Sequence, residues 1–408
     1  KAIHWMLWEF NNEERVMRSY LNLIRWNMSP GFVLAVILAV VMSSAMAQSD
    51  EKQERKTLML DTLDGKFDFS RALVEVHGFI PVPMIITEPA LGNIGGLLAL
   101  VFIKPYKKIE GHKGYVPPDI TAGIGMYTAN GTYGLGAFRM GSFPKQGIKY
   151  RVGAFYGDIN LAFYRTLPQV GEKEFNFNIQ ALPVFFSLSK KILKQDVYLG
   201  LKYSYANALV KPKFEGEVPA VITDKELDSN TATLGVFIDW DKRDNIFTPD
   251  KGYRFNIEYD VNASWTASDY EYQQLNTSFT WFTPVKSKWV SGLRLEVQHV
   301  FDRPPFYLMP SINMRGIPAV RYQGETTLIA ETEHRIDLNP RWSVLGFVGL
   351  GKAIEFDQSF SEGSNVYSVG SGFRYLLARV FKIRAGIDVA VGPDSFGYYI
   401  VFGHNWNR

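Results

Sequence analysis

The chain has no cysteine, which excludes both a disulfide framework and a thiolate metal site. Its six histidines, His4, His77, His112, His299, His334 and His404, fall into no H-E-x-x-H or comparable ligand spacing. No Ser/His/Asp set can be argued from the sequence either, so the reading is of a protein that is not an enzyme and takes no cofactor or metal. Excess charge is also lacking, with 44 Lys and Arg against 41 Asp and Glu, which gives no electrostatic reason to invoke nucleic acid. Long apolar runs are missing beyond the first 47 residues, where the longest uninterrupted one covers residues 97–103. No further helix can therefore span a membrane, and any spanning must be done by strands.

Residues 31–42 are almost wholly apolar and lead into Ser43, Ser44, Ala45, Met46 and Ala47, an A-x-A cleavage pattern before Gln48. The run is short for a transmembrane helix. Met17, followed by Arg18 and Arg25, supplies the basic start of a signal peptide, so residues 1–16 are expected to be untranslated and cleavage to follow Ala47. A polar stretch comes next, with too few apolar residues to fold alone. The expected division is a signal region at 1–47, a periplasmic tail at 48–78 and a transmembrane barrel at 79–408.

Strand patterning fills the remainder. Tyr253, Phe255, Ile257, Tyr259 and Val261 share one face of a strand, and Arg254, Asn256, Glu258, Asp260 and Asn262 share the other. The same alternation recurs around Leu199, Leu201 and Tyr203 and around Ile383, Ala385 and Ile387. A membrane barrel turns such an apolar face to lipid and the polar face to a wet lumen. The 35 glycines and the 14% share of aromatic residues suit curved strands and aromatic girdles. Counting from Ile94 gives about sixteen strands. Asn130-Gly131, Gly157-Asp158, residues 248–252, Pro284 and Asn339-Pro340 read as tight turns at the periplasmic end, and residues 104–118, 207–229, 302–325 and 352–366 as long outer loops. The fold class is thus all-β, an antiparallel transmembrane barrel of about sixteen strands in a bacterial outer membrane, contacting its lipid.

Ser395, Gly397, Tyr398, Ile400 and Phe402, with an apolar face continuing to Trp406, resemble the C-terminal signal by which outer-membrane barrels are recognised for assembly. The loop 302–325 carries Met314-Arg315-Gly316-Ile317 and Arg321-Tyr322-Gln323-Gly324-Glu325. It resembles the arginine-glycine loop of BamA/TamA-type barrels, the bacterial surface antigen family. Four more segments fit that pattern in order. They are residues 79–92, which resemble the lead into the first strand; Asp241-Lys242-Arg243-Asp244-Asn245 with Pro249 and Gly252; Glu331, Glu333 and Arg335; and Gly370-Ser371-Gly372-Phe373-Arg374.

A loop arginine that folds into a lumen needs carboxylates for charge-assisted hydrogen bonds. Glu331, Glu333 and Asp337 share the inward parity of the next strand and Asp388 that of the fifteenth, so these four are the candidate partners of Arg315, or of Arg321 if that is the inward residue. Two departures stand out. Gly349 occupies the place where the family's F-x-D-x-G motif has aspartate, and residues 48–78 are too few for a periplasmic POTRA domain. The resemblance implies insertion or translocation of polypeptide or lipid through a weak seam between first and last strands, weakened here by Gly92, Gly95 and Gly96. A passive pore, or an accessory barrel that docks a separate periplasmic partner, are the alternatives. The expected partners are lipid, an unfolded polypeptide substrate or a periplasmic protein.

Overall fold

The structure, a computed structural model, describes residues 59–71, 80–87, 89–92, 94–104, 118–167, 171–193, 196–214, 224–393 and 395–406. The expected signal region and the first part of the tail lie outside these. Sixteen strands follow one another in a single antiparallel sheet in strict chain order. They are β1 (Ile80–Ile86), β2 (Gly95–Lys104), β3 (Asp119–Thr128), β4 (Tyr133–Phe143), β5 (Ile148–Leu167) and β6 (Gly171–Leu193). Next come β7 (Val197–Pro212), β8 (Asp228–Asp241), β9 (Gly252–Asn262), β10 (Tyr272–Lys286) and β11 (Trp289–Val300). The last are β12 (Thr326–Asp337), β13 (Trp342–Ile354), β14 (Ser364–Ala378), β15 (Ile383–Val391) and β16 (Phe396–Phe402).

The count of sixteen agrees with the sequence reading, but through two compensating differences. Residues 80–86 form β1 itself rather than a lead into it, and its partner from Ile94 onward is β2. Gly157 and Asp158 are no turn, because β5 runs unbroken through them. Parity at the start of the barrel is therefore reversed from expectation. Asn130-Gly131 lies at the end that carries the long loop between β11 and β12. The β2–β3 connection leaves from the opposite end, with the turns at Pro249 and Pro340.

Directly paired residues in a ladder share a face, and the strands are laddered one to the next from β1 to β16, with register shifts only near the turns after Lys191, Pro284 and Leu376. One face is thereby fixed around the whole sheet: Arg294 on β11 faces Glu331 on β12, and Gly372 on β14 faces Asp388 on β15. That face is the lumen. The other exposes Leu201, Val236, Leu295, Val348, Leu350 and Val369, an apolar belt for lipid. Aromatic pairs rim the belt: Phe143 with Tyr150, Trp240 with Tyr253 and Trp342 with Tyr375 at the turn end, and Tyr133 with Tyr156 and Tyr259 with Phe301 at the loop end.

At the loop end β5, β6 and β7 are the longest strands, and their excess folds into a cap. There the inward Phe163, Phe175, Phe177, Ile179 and Val210 bury Phe306 of the long loop. At the turn end the connection between β8 and β9 tucks beneath the lumen. Gly252, at φ +105°, lies so close to the Lys242 carbonyl that a Cβ would sit 2.2 Å from its oxygen, so only glycine closes this turn. Phe247 from the same turn joins Ile103, Ala378 and Phe381 as a floor.

Part of the expected tail is ordered on that floor. Residues 59–71 fold into a small bridge, Leu60 with Phe67, and dock on the turns after β12 and β14. The buried Arg341 guanidinium reaches Asp61, Asp64 and Asp68, Arg379 reaches Asp61, and Phe69 packs into the floor cluster. The hydrogen bond from Arg341 holds the Asp64 carboxyl down to about 2, and that from Arg379 lowers Asp61. Lowered carboxylates stabilise docking above the ordinary range near about pH 4, and that stability is lost as pH falls through the folded value. The wild-type strap is thus expected to resist trypsin at Lys66 and Arg71 at neutral pH, and to release only as pH approaches that of Asp64. Arg341→Ala takes the guanidinium from Asp64 and Asp68 and leaves Asp61 with Arg379 alone, and is expected to expose both sites at neutral pH. Equal cleavage of variant and wild type would contradict the docking.

Candidate functional site

The site is a network of buried charge inside the barrel, centred on the long loop between β11 and β12. Strand alternation brings Arg294 and Glu296 inward from β11, Glu331 and Glu333 from β12, Arg374 from β14 and Asp388 from β15. Arg315 descends from the loop into this set, 2% exposed. Its guanidinium lies 2.6 Å from Asp388 and 2.8 Å from Glu333, and 3.4 Å from the centroid of the Phe347 ring. Asp388 is fully buried and also takes both terminal nitrogens of Arg374. Arg294 donates to Glu331, Glu296 and the Asn313 carbonyl of the loop. Bare charges in such a place would be prohibitive, and mutual pairing is what makes their burial tolerable.

Backbone and apolar contacts fix the loop as firmly. Gly316, at φ +82°, accepts the Ser395 hydroxyl on its carbonyl, and its amide donates to the Tyr399 hydroxyl at 2.7 Å. A Cβ on Gly316 would stand 3.0 Å from the Val391 backbone, so glycine lets the loop tip lie against β15. Ile312, Met314 and Ile317 are buried with Ile329, Ala353 and Val366. Gly349, the departure from the family motif, is where this packing needs space: a Cβ would meet Glu331 at 2.8 Å and the Met314 sulfur at 2.9 Å. Gly324 closes the loop base, its amide donating to the Pro310 carbonyl.

Of the four carboxylates expected for the loop arginine, Glu333 and Asp388 meet Arg315. Glu331 goes to Arg294 instead, because the two are opposed in the ladder. Asp337 lies at the far end of β12 with Arg335 and Ser343. Arg321 is not the deep residue; it stacks 4.5 Å above the Tyr164 ring. Arg294 and Glu296 were not singled out from the sequence, although their alternation with Leu293, Leu295 and Val297 marks them as inward.

Gly95 and Gly96 sit on β2, paired with Ile86 and Ile85, and Gly92 lies in the turn between β1 and β2. They do not form the seam. The sheet's two edges are β1 and β16, which meet where the Thr87 hydroxyl donates to the Tyr398 carbonyl. Among the described residues no ladder joins these edges. On β16, Tyr398, Ile400 and Phe402 face outward and Gly397 faces inward opposite Ala390. Trp406 does not continue the outward face. The chain turns at Gly403, φ +80°, and Trp406 packs inward on Phe282, with Arg243 holding the neighbouring His404.

A cavity of about 340 Å³ remains in the lumen, bordered by Lys149, Lys202, Arg254, Glu258, Glu296 and Trp406. Among the described residues no group of three His, Asp or Glu is placed to hold a metal.

Residues 132–307, from the start of β4 into the long loop, match the Omp85 superfamily domain. No curated protein sequence matches the chain. Solved structures that resemble it include BamA from Haemophilus ducreyi lacking POTRA domains 1–3, at 12% identity and a TM-score of 0.53, covering 88% of this chain and 82% of that one. CdiB from Escherichia coli matches at 10% identity and 0.55, covering 79% and 62%, and CdiB from Acinetobacter baumannii at 11% and 0.52, covering 80% and 59%. The chain thus spans about three fifths of the CdiB chains. At such identities the likeness is one of fold alone.

Proposed function

We propose, from the match of residues 132–307 to the Omp85 superfamily domain, a barrel that inserts or translocates polypeptide or lipid at the bacterial outer membrane, using the seam between β1 and β16. The observation that carries this reading is the open edge: fifteen ladders tie the sixteen strands in order, and none ties the last to the first among the described residues. Every other junction would have to break a full ladder of backbone hydrogen bonds to part. At the seam, among the described residues, the tie is a side-chain bond from Thr87 to the Tyr398 carbonyl. The inward loop favours this over a passive pore, since it plugs part of the lumen with Arg315, Met314 and Ile317, all at most 3% exposed, and leaves a cavity of about 340 Å³ beside it. A pore needs a wet, unplugged lumen.

The test is reconstitution of the full chain in lipid vesicles. Two rates are followed: the folding of an added unfolded outer-membrane barrel polypeptide into protease-resistant form, and the transfer of labelled lipid between leaflets. One of them is expected to rise well above that of empty vesicles. Neither rate rising, together with large steady conductance in planar bilayers, would replace this reading with that of a pore.

A further inference from the structure

The first strand contains two prolines, and the register says which way they point. Residues of an antiparallel strand turn their N–H and C=O groups alternately to the two neighbours. The ladder with β2 pairs every residue from Ile80↔Val101 to Ile86↔Gly95 without a shift. Proline has no N–H, so Pro81 and Pro83 can stand in that ladder only at the positions whose amide sites turn away from β2. Those positions face the seam. The edge that β1 offers to β16 is therefore without donors at Pro81 and Pro83, in the half of the strand nearest the turn end. The tie between Thr87 and Tyr398 lies at the other end.

The same part of the wall is apolar on its inner face, and β1 and β2 are apolar on their outer face too; farther along the outer face stands Arg139 of β4, bonded to Thr121 and Tyr150. By register the lumen side of β1 to β4 carries Val82, Met84, Leu97, Ala99, Ile124 and Phe138, whereas β9, β11, β12, β14 and β15 turn charged residues to the lumen. The lipid side carries Ile85, which is 55% exposed, with Leu98 and Leu100. Towards the floor this inner surface runs into Val101, Ile103 and Ile120, packed with Phe69, Phe247 and Phe381. An incoming β-strand would need N–H donors along the β1 edge, because main-chain hydrogen bonds supply the affinity of strand addition. A hydrocarbon chain needs none, and finds apolar surface on both sides of the gap.

We infer that the turn-end half of the seam admits the acyl chain of a membrane lipid, which lies against the inner wall formed by β1 to β4. This inference rests on the proposed use of the seam and names lipid as its substrate class.

Purified full-length protein in vesicles holding a phospholipid with a photoreactive group in its acyl chain tests this, with labelled residues mapped by mass spectrometry. Labelling is expected on the inner residues Val82, Met84, Leu97 or Ala99 as well as on the outer Leu98 and Leu100. Restoring donors with Pro81→Val and Pro83→Val should lower inner labelling roughly tenfold and leave outer labelling unchanged, since each regained hydrogen bond shifts the equilibrium several-fold. If the double variant loses the heat-modifiable migration of a folded barrel, Pro83→Val alone serves. Labelling confined to outer residues, or inner labelling unchanged by the variant, would overturn the inference. So would a photoreactive copy of residues 395–406 that cross-links to β1 in preference to the lipid, an outcome that leaves seam-mediated insertion intact. Inner labelling with both transport rates at background would instead remove the functional reading and leave the lipid site standing.

Discussion

Arg315→Ala is expected to release the long loop from the lumen, producing new protease cleavage within residues 301–325 and a lower temperature of heat modification. The substitution leaves Glu333 without its guanidinium partner and Asp388 with Arg374 alone. Breaking a buried pair by removing one partner costs about 3–5 kcal/mol, against about 0–1 kcal/mol for a solvated arginine. It also removes the cation from the Phe347 ring. Lys352→Ala, at the loop end of β13 with partners Gly363 and Asn365, is the control and should leave both readouts near wild type. Arg315→Lys should restore them only in part, because an ammonium cannot span Glu333 and Asp388 as the planar fork does. Wild-type behaviour of Arg315→Ala in both assays would contradict the inward anchor.

Removal of residues 395–408 is expected to have the larger effect. It deletes β16, strips the outer partner from β15 along the whole ladder from Ala385 to Val391, and removes Ser395 and Tyr399, which hold Gly316 of the loop. Backbone groups left unpaired in lipid cost several kcal/mol each. The truncated chain is expected to be degraded or to accumulate outside the membrane, which fractionation and immunodetection would reveal. Normal levels in the outer membrane would mean that β16 closes nothing.

Much of this architecture is legible because lipid on one side and water on the other impose a period of two. From β7 to β15 the alternation of residues such as Leu199 and Lys202, or Ile387 and Asp388, fixes face and strand alike. The first strand was not legible as a strand, since Pro81 and Pro83 argue against one. Their tolerance depends on β1 being an edge, a fact of closure rather than of local sequence. Gly157-Asp158 has the composition of a turn, yet β5 passes through it because Gly157 pairs with Ala181 and Asp158 with Gln180 on β6. Those two differences inverted the expected ends of the first connections.

Side-chain partners were harder to read than strands. Alternation marks Glu331, Glu333 and Asp388 as inward, but cross-strand opposition gives Glu331 to Arg294 and leaves the other two to Arg315. No local pattern announces that Arg341, in a turn after Pro340, would gather Asp61, Asp64 and Asp68 from nearly three hundred residues upstream.

The central claim is that the seam between β1 and β16 is the working surface, and fastening it tests this most directly. The chain has no cysteine, so Thr87→Cys with Tyr398→Cys introduces a single pair at the point where the two edges meet, bridged by oxidation or by a short reducible linker. Reconstituted in vesicles, the bridged protein should insert polypeptide and transfer lipid at the rate of empty vesicles, and recover its activity when the bridge is reduced. Full activity with the bridge in place would contradict the account.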